Sequence, residues 1–157
     1  MTARYASVIS QLTTKISGVT NIDNIFTEEQ IESKTTTFKD RFESLIGSRR
    51  IVQGWWFDLP KIKGEIDAFN QLERVYEIKL CGFISFDPVN NTSATMIALV
   101  ENIMDAIDTN NSITSVNGIY SGSVDPVQLE ALEPRVYGPA NIHAAELVIT
   151  VRFVIAV

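Results

Sequence analysis

Cys81 and His143 are the only cysteine and the only histidine, and together they could form a nucleophile–base pair. Cys81 lies inside the apolar stretch Leu80-Cys81-Gly82-Phe83-Ile84, where a buried thiol is inert. Structural roles are therefore expected for both residues. One cysteine and one histidine also exclude two-histidine metal motifs and a conventional zinc site. The chain has no dinucleotide or P-loop glycine pattern, and Gly118-Ile119-Tyr120-Ser121-Gly122 precedes no helix signal. There is no GxSxG elbow. Carboxylate pairs that acid–base work would need exist, such as Glu28-Glu29 and Asp105/Asp108. The second pair falls on the polar side of a helix, where a solvated face explains it. No catalytic residue, metal or cofactor is expected.

The most unusual stretch is Arg49-Arg50-Ile51-Val52-Gln53-Gly54-Trp55-Trp56-Phe57. On a strand, Trp55 and Trp56 must point to opposite faces. One can enter the core, and the other then lies under a covering element or meets another subunit. Trp and Arg are enriched at interface hot spots. Arg49, Arg50, Trp55, Trp56, Lys61 and Lys63 are therefore the candidate protein-interface residues, the two lysines on a mixed-charge loop tip.

The elements that would position these residues follow from periodicity. Tyr5, Val8, Ile9, Leu12 and Ile16 mark an N-terminal helix, with Thr2 as its cap and Gly18 after its end. Val19, Ile22, Ile25 and Phe26 fit a short strand or an anchored loop, and Thr27-Glu28-Glu29-Gln30 resembles a helix start. Phe38, Phe42, Leu45 and Ile46 share one face of a helix predicted over 36–46 and stopped by Gly47. Residues 51–57 and 73–86 read as strands. The second alternates Tyr76, Ile78, Leu80, Ile84 and Phe86 against Glu77, Lys79 and Ser85, as a half-buried strand does. Residues 58–72, with Pro60 and Gly64, read as a long loop, which in a compact domain is usually functional or mobile.

A helix is predicted over about 92–108, with Met96, Leu99, Val100, Ile103 and Ile107 as its stripe. Residues 112–123 are turn-rich with room for a short strand. Residues 127–137 form an edge or bulged strand because of Pro134, and 144–157 form the last strand. The expected fold is a single α+β domain over 1–157. It is mainly an antiparallel sheet, with one long helix and an N-terminal helix packed on it.

The 157 residues are 45% hydrophobic and 20% charged, enough for a packed core without staples. A disulfide scaffold is excluded. No apolar run reaches the ~20 residues of a membrane span, and polar residues interrupt any signal-peptide core near the N-terminus. The cytoplasm, or an assembly built there, is the expected location. The net charge of −6 opposes general nucleic-acid binding. Residues 1–79 balance at 11 basic and 11 acidic side chains, whereas residues 80–157 hold 2 basic and 8 acidic. All the net charge thus lies in the second half.

In organisation the chain resembles the tail terminator family of long-tailed phages, and more broadly the tail-completion and neck ring proteins that share its fold. The resemblance lies in the N-terminal helix, the strand pair 51–57 and 73–86, the helix 92–108, and the closing pair 127–137 and 144–157. Two segments look like the family's: Tyr76-Glu77-Ile78-Lys79-Leu80 leading toward the helix, and the late strand Ala145-Glu146-Leu147-Val148-Ile149-Thr150-Val151. The resemblance implies a non-enzymatic virion protein that forms a homo-oligomeric ring, typically of six subunits. The ring caps the head-proximal end of the tail tube and stops its growth. Its implied partners are the tail tube protein and a neck or connector protein; DNA passes through the lumen without specific binding, and no membrane is involved. The acidic second half could supply a lumen that repels phosphate. The competing readings are a head-closure or connector-adaptor protein, an unrelated α+β protein-interaction domain, and an enzyme using a carboxylate or Cys81.

Overall fold

The computed structural model describes residues 4–28, 40–114, 121–138 and 140–155. Among these, helix α1 spans Arg4–Ser17 and helix α2 spans Thr92–Asp108. The strands are β1 (Ile25–Phe26), β2 (Glu43–Ile46), β3 (Arg49–Phe57), β4 (Lys61–Ile66) and β5 (Leu72–Ser85). They continue with β6 (Ser112–Thr114), β7 (Ser121–Val124), β8 (Gln128–Tyr137) and β9 (Ala140–Val154). All belong to one sheet with the main order β1-β3-β5-β9-β7-β6; β2 pairs with β3, β4 with β5, and β8 with β9. The fold is α+β. The sheet is antiparallel except for β1, which runs parallel to β3.

Two long hairpins lie side by side. β3 and β4 follow one another along the same edge of β5. The register moves from Phe57↔Leu80 to Lys61↔Glu77, so three residues, 58–60, face two. This is a bulge, pinned by the Asp58 amide donating to the Lys79 carbonyl at 2.9 Å. β7 and β8 likewise follow one another along the outer edge of β9, with a second bulge between Leu129 and Ala131. β5 and β9 pair over 13 rungs down the middle.

The two faces of the sheet are covered differently. Even-numbered residues of β5 and odd-numbered residues of β9 face α1 and α2. There Ile78, Leu80, Ile84, Leu147, Ile149 and Val151 meet the helix stripes Val8–Leu12–Ile16 and Met96–Leu99–Val100–Ile103–Ile107. Gln11 fastens α1 to β6, its side chain bonding both the amide and the carbonyl of Thr114. On the opposite face, Phe42, Phe83, Ile142 and Ala144 make a smaller cluster with Phe26, Val52, Trp56 and Tyr137.

Three expectations are corrected. Within the predicted helix over 36–46, residues 36–39 lie outside the described set, 40–42 are helical, and 43–46 form β2. Phe42 is buried, whereas Leu45 is exposed, so they share no helical face. Pairing with β3 decides the matter: a two-residue turn at Gly47-Ser48 closes the hairpin, with Gly47 at φ 64°, a value that suits glycine. Residues 58–72 are not a loop but contain β4 and a turn at 67–71. Finally, β5 is not simply half-buried, since Val75, Cys81 and Phe83 are also buried on the second face. Thr2, Glu29, Gln30, Phe38 and residues 118–120 lie outside the described residues.

Candidate functional site

Cys81 and His143 do not form a pair. Cys81 lies opposite Glu146 and faces away from the helices, whereas His143 lies opposite Ile84 and faces toward them. The Cys81 thiol donates to Asp58 Oδ2 at 3.4 Å. Burial pushes its pKa up, and the nearby Asp58 carboxylate raises it further, so thiolate is disfavoured. The His143 ring packs on Phe86 at 4.9 Å between centroids. Asp108 accepts the Val127 amide at 3.0 Å. Among the described residues no group of three or more potential metal ligands assembles. A cavity of about 740 Å³ beside α1 is lined by Tyr5, Ile9, Thr27, Glu28, Phe57 and Leu59, among others. Its described lining holds no cysteine or histidine and a single carboxylate.

The six interface candidates fall in three places. Trp55 is 0% exposed; it sits over Gly82 and donates its indole N–H to Gln53 Oε1 at 2.9 Å. It therefore has no surface to offer a partner. Trp56 points to the other face, half-buried, stacked on Tyr137 at 5.5 Å, with its N–H on Asp58 Oδ1 at 3.1 Å. Arg49 and Arg50 flank the β2–β3 turn; Arg49 donates to the Asn90 carbonyl and Arg50 pairs with Glu43 at 3.1 Å. Lys61 and Lys63 stand on β4 rather than at a loop tip, paired with Glu77 and Glu65.

The lysines belong to a charged ladder across the second face. Lys79 bridges Glu130 and Glu146, and Arg135 bridges Glu133 and Glu146. Arg152 on β9 reaches Asp125 at 2.8 Å, Glu65 at 2.9 Å and Glu73 at 3.5 Å. It thereby ties the β4–β5 hairpin to the rest of the sheet. The Arg152 hydrogen bond holds the Glu65 carboxyl below its ordinary range, and the Arg135 hydrogen bond does the same for Glu146. Both lowered values favour the charged form in the fold. Their contribution is full above the unfolded carboxylate range, near pH 4.5, and is lost as pH falls through the lowered values. Hydrogen-exchange protection of residues 61–75 should therefore drop at pH 3 while α2 stays protected. Equal protection at pH 7 and pH 3 would show that the ladder does not hold the hairpin.

The sheet is longer than the helices above it. β5 has 14 residues and β9 has 15, lengths of about 46 and 50 Å at ~3.3 Å per residue. α1 with 14 residues and α2 with 17 are only about 21 and 26 Å long. Coverage ends near Tyr5, which stacks on Tyr76 and donates to the Asp58 carbonyl. Beyond it the β4–β5 hairpin continues as a bare arm. Ile62, Ile66 and Leu72 face the helix side but stay partly or largely exposed beyond α1 and α2, and Leu59 and Phe69 flank them. Leu59 is 80%, Ile66 70% and Phe69 84% exposed. At the opposite end Phe86, Pro134, Val136, Asn141 and His143 occupy the same face, and Val89 stands exposed nearby. Phe86, Pro134, Arg135, Val136, Asn141 and Ile142 line an open depression of about 390 Å³ there.

Sequence reasoning missed both overhangs, although Lys61-Ile62-Lys63-Gly64-Glu65-Ile66 alternates as an amphipathic strand should. Scattered exposed hydrophobes are ordinary, but contiguous ones mark interaction surfaces. Among the described residues no helix is long and apolar enough to cross a membrane. A scan against protein-family models found no match, and no curated protein matches the chain.

Proposed function

We propose that the protein is a structural component of a phage virion, a tail terminator that forms a ring on the end of the tail tube and joins it to the neck. The observation that carries this reading is the overhang: a sheet about twice as long as α1 or α2, with exposed apolar side chains at both ends. An enzyme gains nothing from two such surfaces, and a simple adaptor needs one. A ring needs two different adhesive surfaces on each chain, because head-to-tail contacts must continue until they close.

Charge fits the same role. Four of the eight acids of the second half, Asp125, Glu130, Glu133 and Glu146, are matched by Lys79, Arg135 or Arg152 on the sheet. Glu101, Asp105 and Asp108 instead stand exposed on the outward side of α2. Facing a lumen, they would repel phosphate and let DNA slide past. Binding to duplex DNA at physiological salt should be weaker than about 1 μM; a tighter affinity would contradict a repelling lumen.

The direct test adds the purified protein to growing tail tubes. The expected result is arrested growth and ring-shaped density at tube ends in negative stain. Tubes that elongate normally at saturating protein would reject the terminator role. Density on the isolated connector instead would assign the protein to the neck as an adaptor.

A further inference from the structure

We infer, resting on that reading, that the arm's occupant is a second copy of this chain: Phe69 of one copy, flanked by Ile66 and Leu72, seats in the depression between Phe86, Pro134 and Val136 of the next. The two surfaces cannot meet within one chain, since β5 holds them about 46 Å apart. They are also unlike each other. The arm ends in a projecting aromatic ring, and the far end offers a hollow with room for one. Like surfaces make closed dimers, whereas unlike surfaces on opposite ends make head-to-tail contacts.

The arm tip is built to be stiff. Asp67 Oδ1 accepts the amides of Phe69 and Gln71, each at 2.8 Å. The Asp67 amide donates to the Gln71 carbonyl, and the Asn70 amide donates to the Asp67 carbonyl. Asn70 takes φ 64°, a left-handed conformation that asparagine tolerates. A side chain presented on a fixed turn loses little freedom on docking.

Edge-to-edge strand pairing is the less suited mode. β4 is six residues long and carries Lys61 and Lys63, and β8 carries Pro134, which has no N–H to donate. Both are devices that discourage pairing at an edge. Side-chain packing on the bare faces remains. The arm, residues 59–74, is smaller than the ~20–30 residues per side of a standard interface. One contact alone is therefore weak, and ring closure supplies the rest by making each further contact intramolecular. Assembly should depend steeply on concentration.

The test uses sedimentation of three full-length proteins: wild type, Phe69→Ser and Val136→Asp. Both substituted side chains are largely exposed, so an unchanged thermal midpoint checks the fold. Wild type should form species larger than a dimer as concentration rises, and each variant alone should remain monomeric. A 1:1 mixture should form nothing larger than a heterodimer, because only one intact arm meets one intact hollow. Wild type that stays monomeric at its highest soluble concentration would overturn the inference. So would a variant that assembles like wild type, or a mixture that forms species larger than a heterodimer. Tube capping by a protein that never self-associates would sink this inference and leave the terminator reading standing. Self-association through Phe69 and Val136 without capping would do the reverse.

Discussion

Replacing Trp55 with alanine should cost about 3–5 kcal/mol of stability, a fall in thermal midpoint of roughly 10 °C or more for a chain of this size. The indole is fully enclosed between β3, β5 and the helices. Its removal leaves a cavity that strands fixed by their ladders cannot close. It also removes the N–H that Gln53 Oε1 accepts. Gln53 is itself 0% exposed and secures the 21–24 segment, accepting the Asp23 amide and donating to the Asn21 carbonyl. The damage therefore spreads to the chain leading into β1. Trp56→Ala should cost only roughly 1–2 kcal/mol, because its ring is half-buried and stacked on one side. Chemical denaturation of both variants gives the comparison. Sedimentation of Trp56→Ala at the same concentrations should match wild type, since Tyr137, Phe83 and Asp58 of its own chain already occupy the ring. Reduced association at unchanged stability would instead make Trp56 an intersubunit contact.

The contrast between the tryptophans follows from the period of two. The sequence requires that they point opposite ways, but it does not say which way the helices lie. That is settled by β5, where Gly82 stands opposite Trp55 and Cys81 opposite Trp56. The stripe of α2 and the alternation of β9 were legible because each is long enough for one period to dominate. β2 was not. Phe42, Leu45 and Ile46 match helical spacing over a window too short to discriminate, and pairing with β3 overrides it. β4 was hidden by Pro60 and Gly64, which look like breakers. In the structure Pro60 falls within the bulge, where no ladder hydrogen bond is needed. Gly64 sits inside β4, opposite Arg74. The candidate site was least legible of all. Leu59, Ile62, Ile66 and Phe69 are ordinary core-type residues in a linear reading. They become a surface only because the strands outrun the helices, which is a relation between elements and leaves no local pattern.

Gly82→Ala should be nearly as damaging as the loss of Trp55, for the opposite reason. A Cβ on Gly82 would lie 2.0 Å from Trp55 Cε3, 2.2 Å from Cζ3 and 2.5 Å from Cδ2. These contacts are to a fully buried ring, so either the indole leaves its seat or β3 separates from β5. Overpacking of this kind costs about 3 kcal/mol. Glycine is needed here for space, since no turn or bulge lies at this rung. The interpretation is checked by a double-mutant cycle with Trp55→Leu, a smaller side chain that vacates the volume the new methyl enters. If the indole seats on Gly82, the two changes should couple. Adding Gly82→Ala to the Trp55→Leu protein should then cost less than about 1 kcal/mol, leaving roughly 2 kcal/mol of interaction energy between the sites. Denaturation midpoints of the four proteins measure it. Simple additivity would mean that the methyl meets something other than the indole, and that the packing of β3 on β5 around this rung differs from the one described.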